Sequence, residues 1–290
     1  MMDIIGSLAE VSDRYDAVFC DLWGCLHNGV EAFPDAVDAL RAFRAKGGKV
    51  VLLTNAPRAR SEVAKQLVTF KVPDDCWDTI ATSGDSARTA MFRGAVGEKV
   101  WFMGQPHDQP FFEPIKVVDN PVAISQVPLE DADGIVCLGP FDAHADPDVN
   151  RPQFLYAKQK GLKLLCANPD IVVDRGETRE WCAGALAALY TEMGGESLYF
   201  GKPHPPIYDL ARRRLAELGP LPPDNRILAI GDGILTDVRG ALGEDLDVLF
   251  VTGGLAAEVT KTERQPERAA LDAYLVEQQM AVTYAIGFLR

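Results

Sequence analysis

The chain has no surplus of positive charge: 29 Lys and Arg stand against 42 Asp and Glu, a formal net charge of −13. A nucleic-acid backbone or an anionic membrane needs basic surface to neutralise it, so neither is expected as a partner. An anionic small molecule stays open, provided the positive charge that binds it is local: a metal ion, one or two Lys or Arg, or helix N-termini. No stretch approaches the ~18 apolar residues of a membrane span. The opening residues, MMDIIGSLAEVSDRYD, carry neither a basic segment nor a long apolar core, so no secretory leader is expected. The six cysteines, Cys20, Cys25, Cys76, Cys137, Cys166 and Cys182, include no C-x-x-C pair. Their spacing argues against zinc, and they read as reduced thiols used as small hydrophobes in a cytoplasmic protein. Internal repeats, low-complexity tracts and heptad runs are also missing.

What is present suits one large domain or two ordinary ones: 290 residues, 47% hydrophobic and 24% charged. Residues 1–16 read as a short helix or an arm. Buried-strand runs then alternate with amphipathic helices. Ala17–Cys20 leads into Asp21. The stretch 35–46 shows Val37, Leu40 and Phe43 on one helical face before Gly47-Gly48. Lys49–Thr54 is a second strand, Arg60–Phe70 a second helix, and 78–85 a third short strand ending in Thr82-Ser83-Gly84. This rhythm predicts a doubly wound parallel α/β sheet. Between about 84 and 181 it changes. Candidate strands Lys99–Met103, Gly134–Leu138 and Lys163–Ala167 and helices Ser86–Arg93, Pro152–Lys160 and Ala183–Glu192 are separated by Pro- and Asp-rich joints at 105–114 and 140–148. The expected organisation is a core of residues 1–83 and 182–290 with an inserted α/β cap of 84–181; long insertions on one sheet are the alternative. The core pattern then resumes with a strand in 197–206 that runs into a Gly-Lys-Pro turn, strands at 226–233, ending in Asp232, and 247–254, helices near 207–218 and 267–279, and a short strand near 282–288.

Ligands of open α/β sheets bind at the carboxyl ends of the strands. That edge is expected to collect Asp21 with Trp23 and Gly24, Thr54 with Asn55, Lys202 after Gly201, and Asp232 with Asp237. Each has a plainer reading alone. Asp21 can start a turn, Thr54-Asn55 can cap a helix, Lys202 can be solvated, and Gly231-Asp232-Gly233 can be a dinucleotide loop, although a carboxylate there would repel a pyrophosphate. Together, carboxylates that retain water suit Mg²⁺, and a lysine, a hydroxyl and main-chain N–H groups suit a phosphoryl group. Asp21 would then be a nucleophile forming an aspartyl-phosphate.

The ordered set Asp21-Leu-Trp-Gly, Thr54-Asn55, a large insertion, Gly201-Lys202-Pro203 and Gly231-Asp232-Gly-x-x-Thr236-Asp237 resembles the haloacid dehalogenase (HAD) superfamily. The size of the insertion, Asn168-Pro169-Asp170 and Val251-Thr252-Gly253-Gly254 resemble its class IIA hydrolases, which carry a large α/β cap and include sugar-phosphate, nitrophenyl-phosphate and nucleotide phosphatases. The resemblance spans about residues 17–255. It implies a Rossmann-like core, a Mg²⁺ cofactor and a small phosphorylated metabolite as substrate. Asp21 is implied as nucleophile and metal ligand, Asp232 and the main-chain carbonyl of residue 23 as further ligands, and Asp237 as the group that steadies metal-bound water or Lys202. Thr54, the Asn55 amide and Lys202 are implied to hold the phosphate. A homo-oligomer stays open.

The sequence departs from that family at one place. Its phosphatases carry a second Asp two residues after the nucleophile, as general acid and base; here the residue is Trp23. The carbonyl can still ligate a metal, but the indole exchanges no proton, and general acid–base help is worth ~10²–10⁴-fold. Three explanations follow: an acid supplied elsewhere, with His27 the nearest in sequence; a metal-dependent reaction at Asp21 that needs none; or a phosphate-ligand binding protein with little turnover. Cys25 fits a small buried residue better than a nucleophile. Asn168 and Asp170 either bond a polar substrate tail or form an Asx turn. Arg58 and His204 either contact substrate or lie on the surface, and Trp181 is expected to pack.

Overall fold

The computed structural model describes residues 2–113, 118, 120–175 and 178–290. Pro114, the last residue of the first Pro-rich joint, lies outside them. Among the described residues the strands are β1 (Asp3–Ile4), β2 (Ala17–Cys20), β3 (Lys49–Thr54), β4 (Thr79–Thr82), β5 (Lys99–Met103), β6 (Ser125–Gln126), β7 (Gly134–Cys137), β8 (Lys163–Cys166), β9 (Val172–Arg175), β10 (Thr178–Trp181), β11 (Glu196–Tyr199), β12 (Ile227–Gly231), β13 (Asp247–Val251) and β14 (Tyr284–Ile286). The helices are α1 (Pro34–Ala45), α2 (Arg60–Thr69), α3 (Ser83–Phe92), α4 (Arg151–Gln159), α5 (Ala183–Glu192), α6 (Pro205–Ala216), α7 (Arg239–Gly243) and α8 (Arg268–Glu277). No helix among these residues is long and apolar enough to cross a membrane.

The chain divides into two compact units, residues 1–54, 64–81 and 208–290 in the first and 55–63 and 82–207 in the second. The first holds the sheet of order β1-β14-β13-β12-β2-β3-β4. From β2 the chain steps outward through β3 to β4, then returns on the other side of β2 through β12, β13 and β14, which is the doubly wound expectation. The pairings of β2 with β3 and with β12 are parallel, so the order reverses between β12 and β2. All four residues of β2 are buried, as a parallel strand covered on both faces requires. Helix α1 begins at Pro34, whose fixed φ suits the first helical position, and buries Ala36, Val37, Leu40 and Phe43. Fully burying a side chain such as Leu40 or Phe43 contributes about 1.5–3 kcal/mol. The leading residues, expected as a helix or an arm, place β1 parallel to β14 at the sheet edge and then form two short 3-10 turns, Leu8–Glu10 and Ser12–Arg14.

The second unit is built on a parallel sheet of order β11-β8-β7-β5-β6, with β9 and β10 as a separate antiparallel pair. Alternate residues of its strands face two apolar clusters. Ile135, Cys137, Leu164 and Cys166 pack with Phe154 and Ala157 of α4 and Leu186, Ala187 and Tyr190 of α5. Val136, Leu138, Leu165 and Ala167 pack with Ala87, Met91 and Phe92 of α3. This is a three-layer α/β unit in its own right.

Three sequence expectations need correction here. The unit does not end at 181 but continues to 207. The strand expected to rejoin the first sheet, β11, pairs instead with β8, Leu198 opposite Leu165. Its apolar residues fit either sheet, and only the pairing partner decides. Helix α3 also starts earlier than expected, at Ser83, because the Thr82 hydroxyl caps it by accepting the Asp85 N–H at 2.9 Å.

Candidate active site

Three adjacent parallel strands, β12, β2 and β3, end side by side, and Asp232, Asp21 and Thr54 stand at their carboxyl ends. The register is tight: Cys20 pairs with Ile230 and Leu52, and the Asp21 N–H donates to the Ile230 carbonyl at 2.8 Å. The reversal of strand order between β12 and β2 therefore puts two acids at the point where such sheets bind ligands. Asp21, Thr54 and Asp232 are buried at 8%, 8% and 5% exposure. Ligand atoms of Asp21, Asp232 and Cys25 all lie within 4.8 Å of one another.

The Asp232 carboxylate is enclosed by main chain on two sides. A Cβ on Gly24 would stand 2.2 Å from its Oδ2, and one on Gly254 would stand 1.9 Å away. The Leu255 N–H donates to the same oxygen at 3.1 Å. Gly24 also has φ of +76°, a conformation other residues resist. Gly254 belongs to the Val-Thr-Gly-Gly stretch, and its close approach to Asp232 was not legible from sequence. Two buried carboxylates this close repel unless a cation or proton lies between them, and an all-oxygen pair in a main-chain cradle fits a hard divalent cation such as Mg²⁺. Cys25 adds no thiolate to the set. Burial, reinforced by Asp232 and Asp21, pushes its thiol well above the ordinary range, so the sulfur stays protonated. Its small size was expected, but its position beside the two acids was not.

Asp237 supports the turn that carries Asp232. Its Oδ2 accepts the Gly233 N–H at 3.1 Å, and a Cβ on Gly231 would stand 2.1 Å from its Cγ. Both glycines of the supposed dinucleotide loop are thus closely approached by Asp237, whose charge disfavours a pyrophosphate there.

Trp23 lies in the loop after Asp21 that leads into a short hairpin. Gly24 N–H bonds the His27 carbonyl at 2.9 Å, and isolated bridges join Trp23 to His27 and His27 to Ala32. The half-buried indole meets the His27 ring edge-on, centroids 5.6 Å apart. It fills the space over Gly29, where a Cβ would stand 2.3 Å from Cη2 and where φ is +83°. His27 does not supply the missing acid. It is 4% exposed, its ring lies 4.8 Å from that of Phe70, and its Nδ1 accepts the Gly29 N–H at 3.1 Å. Burial lowers its pKa to about 4, so the ring is neutral at physiological pH.

The second unit holds the other expected residues. Lys202 follows β11, which belongs to the sheet of the second unit and not to that of the first. It is 2% exposed. The Asn55 side chain grips its main chain in both directions: Lys202 N–H to Asn55 Oδ1 at 2.7 Å, and Asn55 Nδ2 to the Lys202 carbonyl at 3.1 Å. Asn55 Nδ2 also donates to Asp170 Oδ1 at 2.8 Å. Asn168 Oδ1 accepts the Asp170 N–H at 3.1 Å, the Asx-turn alternative. The Asp170 carboxylate, open in the sequence to either a substrate tail or an Asx turn, bonds Asn55. Gly201 sits against this knot: a Cβ there would stand 2.4 Å from Asn55 Oδ1 and 2.7 Å from Ser83 Oγ. The Ser83 hydroxyl is buried with no hydrogen-bond partner among the described residues; the sequence reading missed it. Arg58 is half-buried, and its carbonyl accepts the Thr82 hydroxyl at 2.7 Å. His204 stacks on Tyr199, centroids 4.6 Å apart. Trp181 is half-buried at the end of β10, its main-chain N–H on the Ala143 carbonyl at 2.9 Å.

With this geometry in place, comparison with known proteins defines the class. The description "Haloacid dehalogenase-like hydrolase" matches residues 18–116, and "HAD-hydrolase-like" matches 199–274. A hydrolase of the haloacid dehalogenase-like family from Brucella suis 1330 is 35% identical, covers 99% of this chain and 100% of its own, and superposes with a TM-score of 0.85. The chain belongs to the haloacid dehalogenase-like hydrolase family, in agreement with the resemblance read from its motifs. Among individual proteins, it is 24% identical over 258 residues to the 5′-nucleotidase YutF of Bacillus subtilis, covering 87% of this chain and 91% of that one. It is 27% identical over 267 residues to human glycerol-3-phosphate phosphatase, covering 82% and 79%.

Proposed function

We propose that this chain is a Mg²⁺-dependent hydrolase of a small phosphate monoester, acting through an aspartyl-phosphate on Asp21. The observation that carries the reading is the buried pair Asp21 and Asp232, ligand atoms within 4.8 Å, at the strand-order reversal of a haloacid dehalogenase-like fold. The relatives' names, a 5′-nucleotidase and a glycerol-3-phosphate phosphatase, support a small phosphorylated substrate.

Asp21, Asp232 and the main-chain carbonyl of Trp23 would hold Mg²⁺, which supplies positive charge for the phosphoryl oxygens. An Asp21 carboxylate oxygen attacks phosphorus, and the bond from phosphorus to the substrate oxygen breaks. Water then attacks the same phosphorus, and the electron pair returns to the Asp21 carboxylate. The main chain at Trp23 and Gly24, the Thr54 hydroxyl, the Asn55 N–H and the Lys202 ammonium hold the phosphoryl oxygens. Asp237 holds the turn that carries Asp232. Arg58 and His204 serve the non-phosphoryl part of the substrate. A cytoplasmic location is supported by six buried thiols, none in a disulfide.

A second reading, a phosphate-ligand binding protein with little turnover, is favoured by Trp23 at the acid's position. Hydrolysis of a panel of phosphate monoesters by wild type and Asp21→Asn, with and without Mg²⁺, separates the two. The enzyme reading expects Mg²⁺-dependent turnover that falls by roughly 10³-fold or more in Asp21→Asn. Equal turnover in both proteins overturns Asp21 as nucleophile. Tight binding of one ester with no turnover supports the second reading.

A further inference from the structure

A phosphatase that lacks a proton donor meets its difficulty at the leaving oxygen. When the bond to phosphorus breaks, that oxygen departs either protonated or as an anion. An alkoxide is a poor anion and needs the proton; a carboxylate, enolate or phenolate does not. The structure shows what the Asp21 hairpin offers there. The residue two places on is Trp23, whose indole N–H is no acid at working pH. His27 is 4% exposed, wedged against Phe70 and Trp23, with Nδ1 engaged by Gly29. Cys25 is 1% exposed, its sulfur within 4.8 Å of both carboxylates. Asp237 is tied to the Gly233 N–H.

The indole is also built in. Gly29 leaves open the space that Trp23 fills, and its positive φ holds the hairpin in the shape that accepts a ring. A site that had merely lost its acid would not require a matching glycine six residues after the tryptophan. Two residues after the nucleophile the chain therefore carries a partly buried indole packed on Gly29 and His27, and no proton donor.

We infer that the substrates of this site are phosphate esters or anhydrides whose leaving group departs as a stable anion: acyl, enol or aryl phosphates in preference to alkyl phosphates. The inference rests on phosphoryl transfer to Asp21 and names the substrate class of that transfer. The balance of the first step is complete without a protein proton. An Asp21 oxygen forms the new bond to phosphorus, the bond to the leaving oxygen breaks, and its electron pair leaves as carboxylate, enolate or phenolate. In the second step water adds to phosphorus, its proton passes to solvent, and the pair of the breaking bond returns to Asp21. The same vacancy of acid and base slows this second step, so the aspartyl-phosphate accumulates when the first step is fast.

The test is a leaving-group series on the full chain with Mg²⁺: acetyl phosphate, 2,4-dinitrophenyl, 4-nitrophenyl and phenyl phosphate, and glycerol 3-phosphate. Wild type is compared with Trp23→Asp and with Trp23→Asn, which matches the aspartate in size and carries no acid. In wild type kcat/KM falls steeply as the leaving group becomes less acidic, and the nitrophenyl esters give a pre-steady-state burst of phenolate approaching one per chain. Trp23→Asp flattens the series and raises the glycerol ester relative to the dinitrophenyl ester by ~10²-fold or more, within the range of general acid help; Trp23→Asn keeps the steep series. Should Trp23→Asp fail to fold, checked by its thermal transition, the wild-type slope and burst decide alone. A shallow wild-type series with good turnover of glycerol 3-phosphate overturns the substrate class and leaves Asp21 as nucleophile intact. A wild type that hydrolyses none of the series and gives no burst overturns the phosphoryl-transfer reading itself.

Discussion

The hydrogen bond from Asn55 Nδ2 to Asp170 Oδ1, 2.8 Å long, joins residues 115 apart in sequence. It decides whether Asp170 serves the substrate or the protein. Asn55 also makes two hydrogen bonds to the Lys202 main chain, both buried. A hydrogen bond to a charged partner contributes about 1.5–3 kcal/mol. The cycle Asn55→Ala, Asp170→Ala and the double variant isolates that pair, since other contacts of each residue cancel. The account predicts a coupling of about 1.5–3 kcal/mol in urea denaturation. Asn55→Ala alone should cost more than Asp170→Ala, because it also strips the Lys202 N–H and carbonyl, at about 1–3 kcal/mol for each buried group left unsatisfied. A coupling below about 0.5 kcal/mol, within ordinary additivity, would refute the reasoning. Asp170 would then not hold Asn55, and its carboxylate would return to consideration for substrate.

Gly201→Ala should destabilise by about 1–3 kcal/mol, the usual cost of overpacking, because its Cβ would stand 2.4 Å from Asn55 Oδ1 and 2.6 Å from Pro169 Cδ; unchanged urea stability would contradict this. His27 has a folded pKa of about 4 against 6.5 in the unfolded chain. The unfolded state therefore takes up the proton first, and the contribution is fully present above about pH 6.5 and lost as pH falls toward 4. At about 1.4 kcal/mol per pK unit this amounts to about 3 kcal/mol. His27→Phe should flatten the stability profile across that window, and identical profiles would count against it. The six buried thiols should react with a maleimide only as the chain unfolds; rapid native labelling would contradict their placement.

Much of the fold was legible because local signals were strong. The runs before Asp21 and through Lys49–Thr54, the helix at 34–45 closed by Gly47-Gly48, and the strand at 99–103 all read correctly from period and punctuation. The carboxyl-edge placement of Asp21 and Asp232 followed from parallel topology. What failed was non-local. β11 reads as a strand in either sheet, and nothing in its sequence selects β8 as its neighbour. The Asn55–Asp170 bond and the cradle of Gly24 and Gly254 around Asp232 form between distant segments and leave no periodic trace. The early start of α3 was a missed local signal, since Thr82 followed three residues later by Asp85 is a usable N-terminal cap pattern.

The central claim is that a side chain on the first long strand of the sheet becomes phosphorylated during turnover. Quenching the enzyme in the pre-steady state with a nitrophenyl ester, reducing with borohydride and sequencing the peptides by mass spectrometry reads this out, because an aspartyl-phosphate is reduced to homoserine. The account predicts homoserine at position 21 and nowhere else. Substrate hydrolysis that leaves residue 21 as unmodified aspartate, or reduction at another acid, would contradict it.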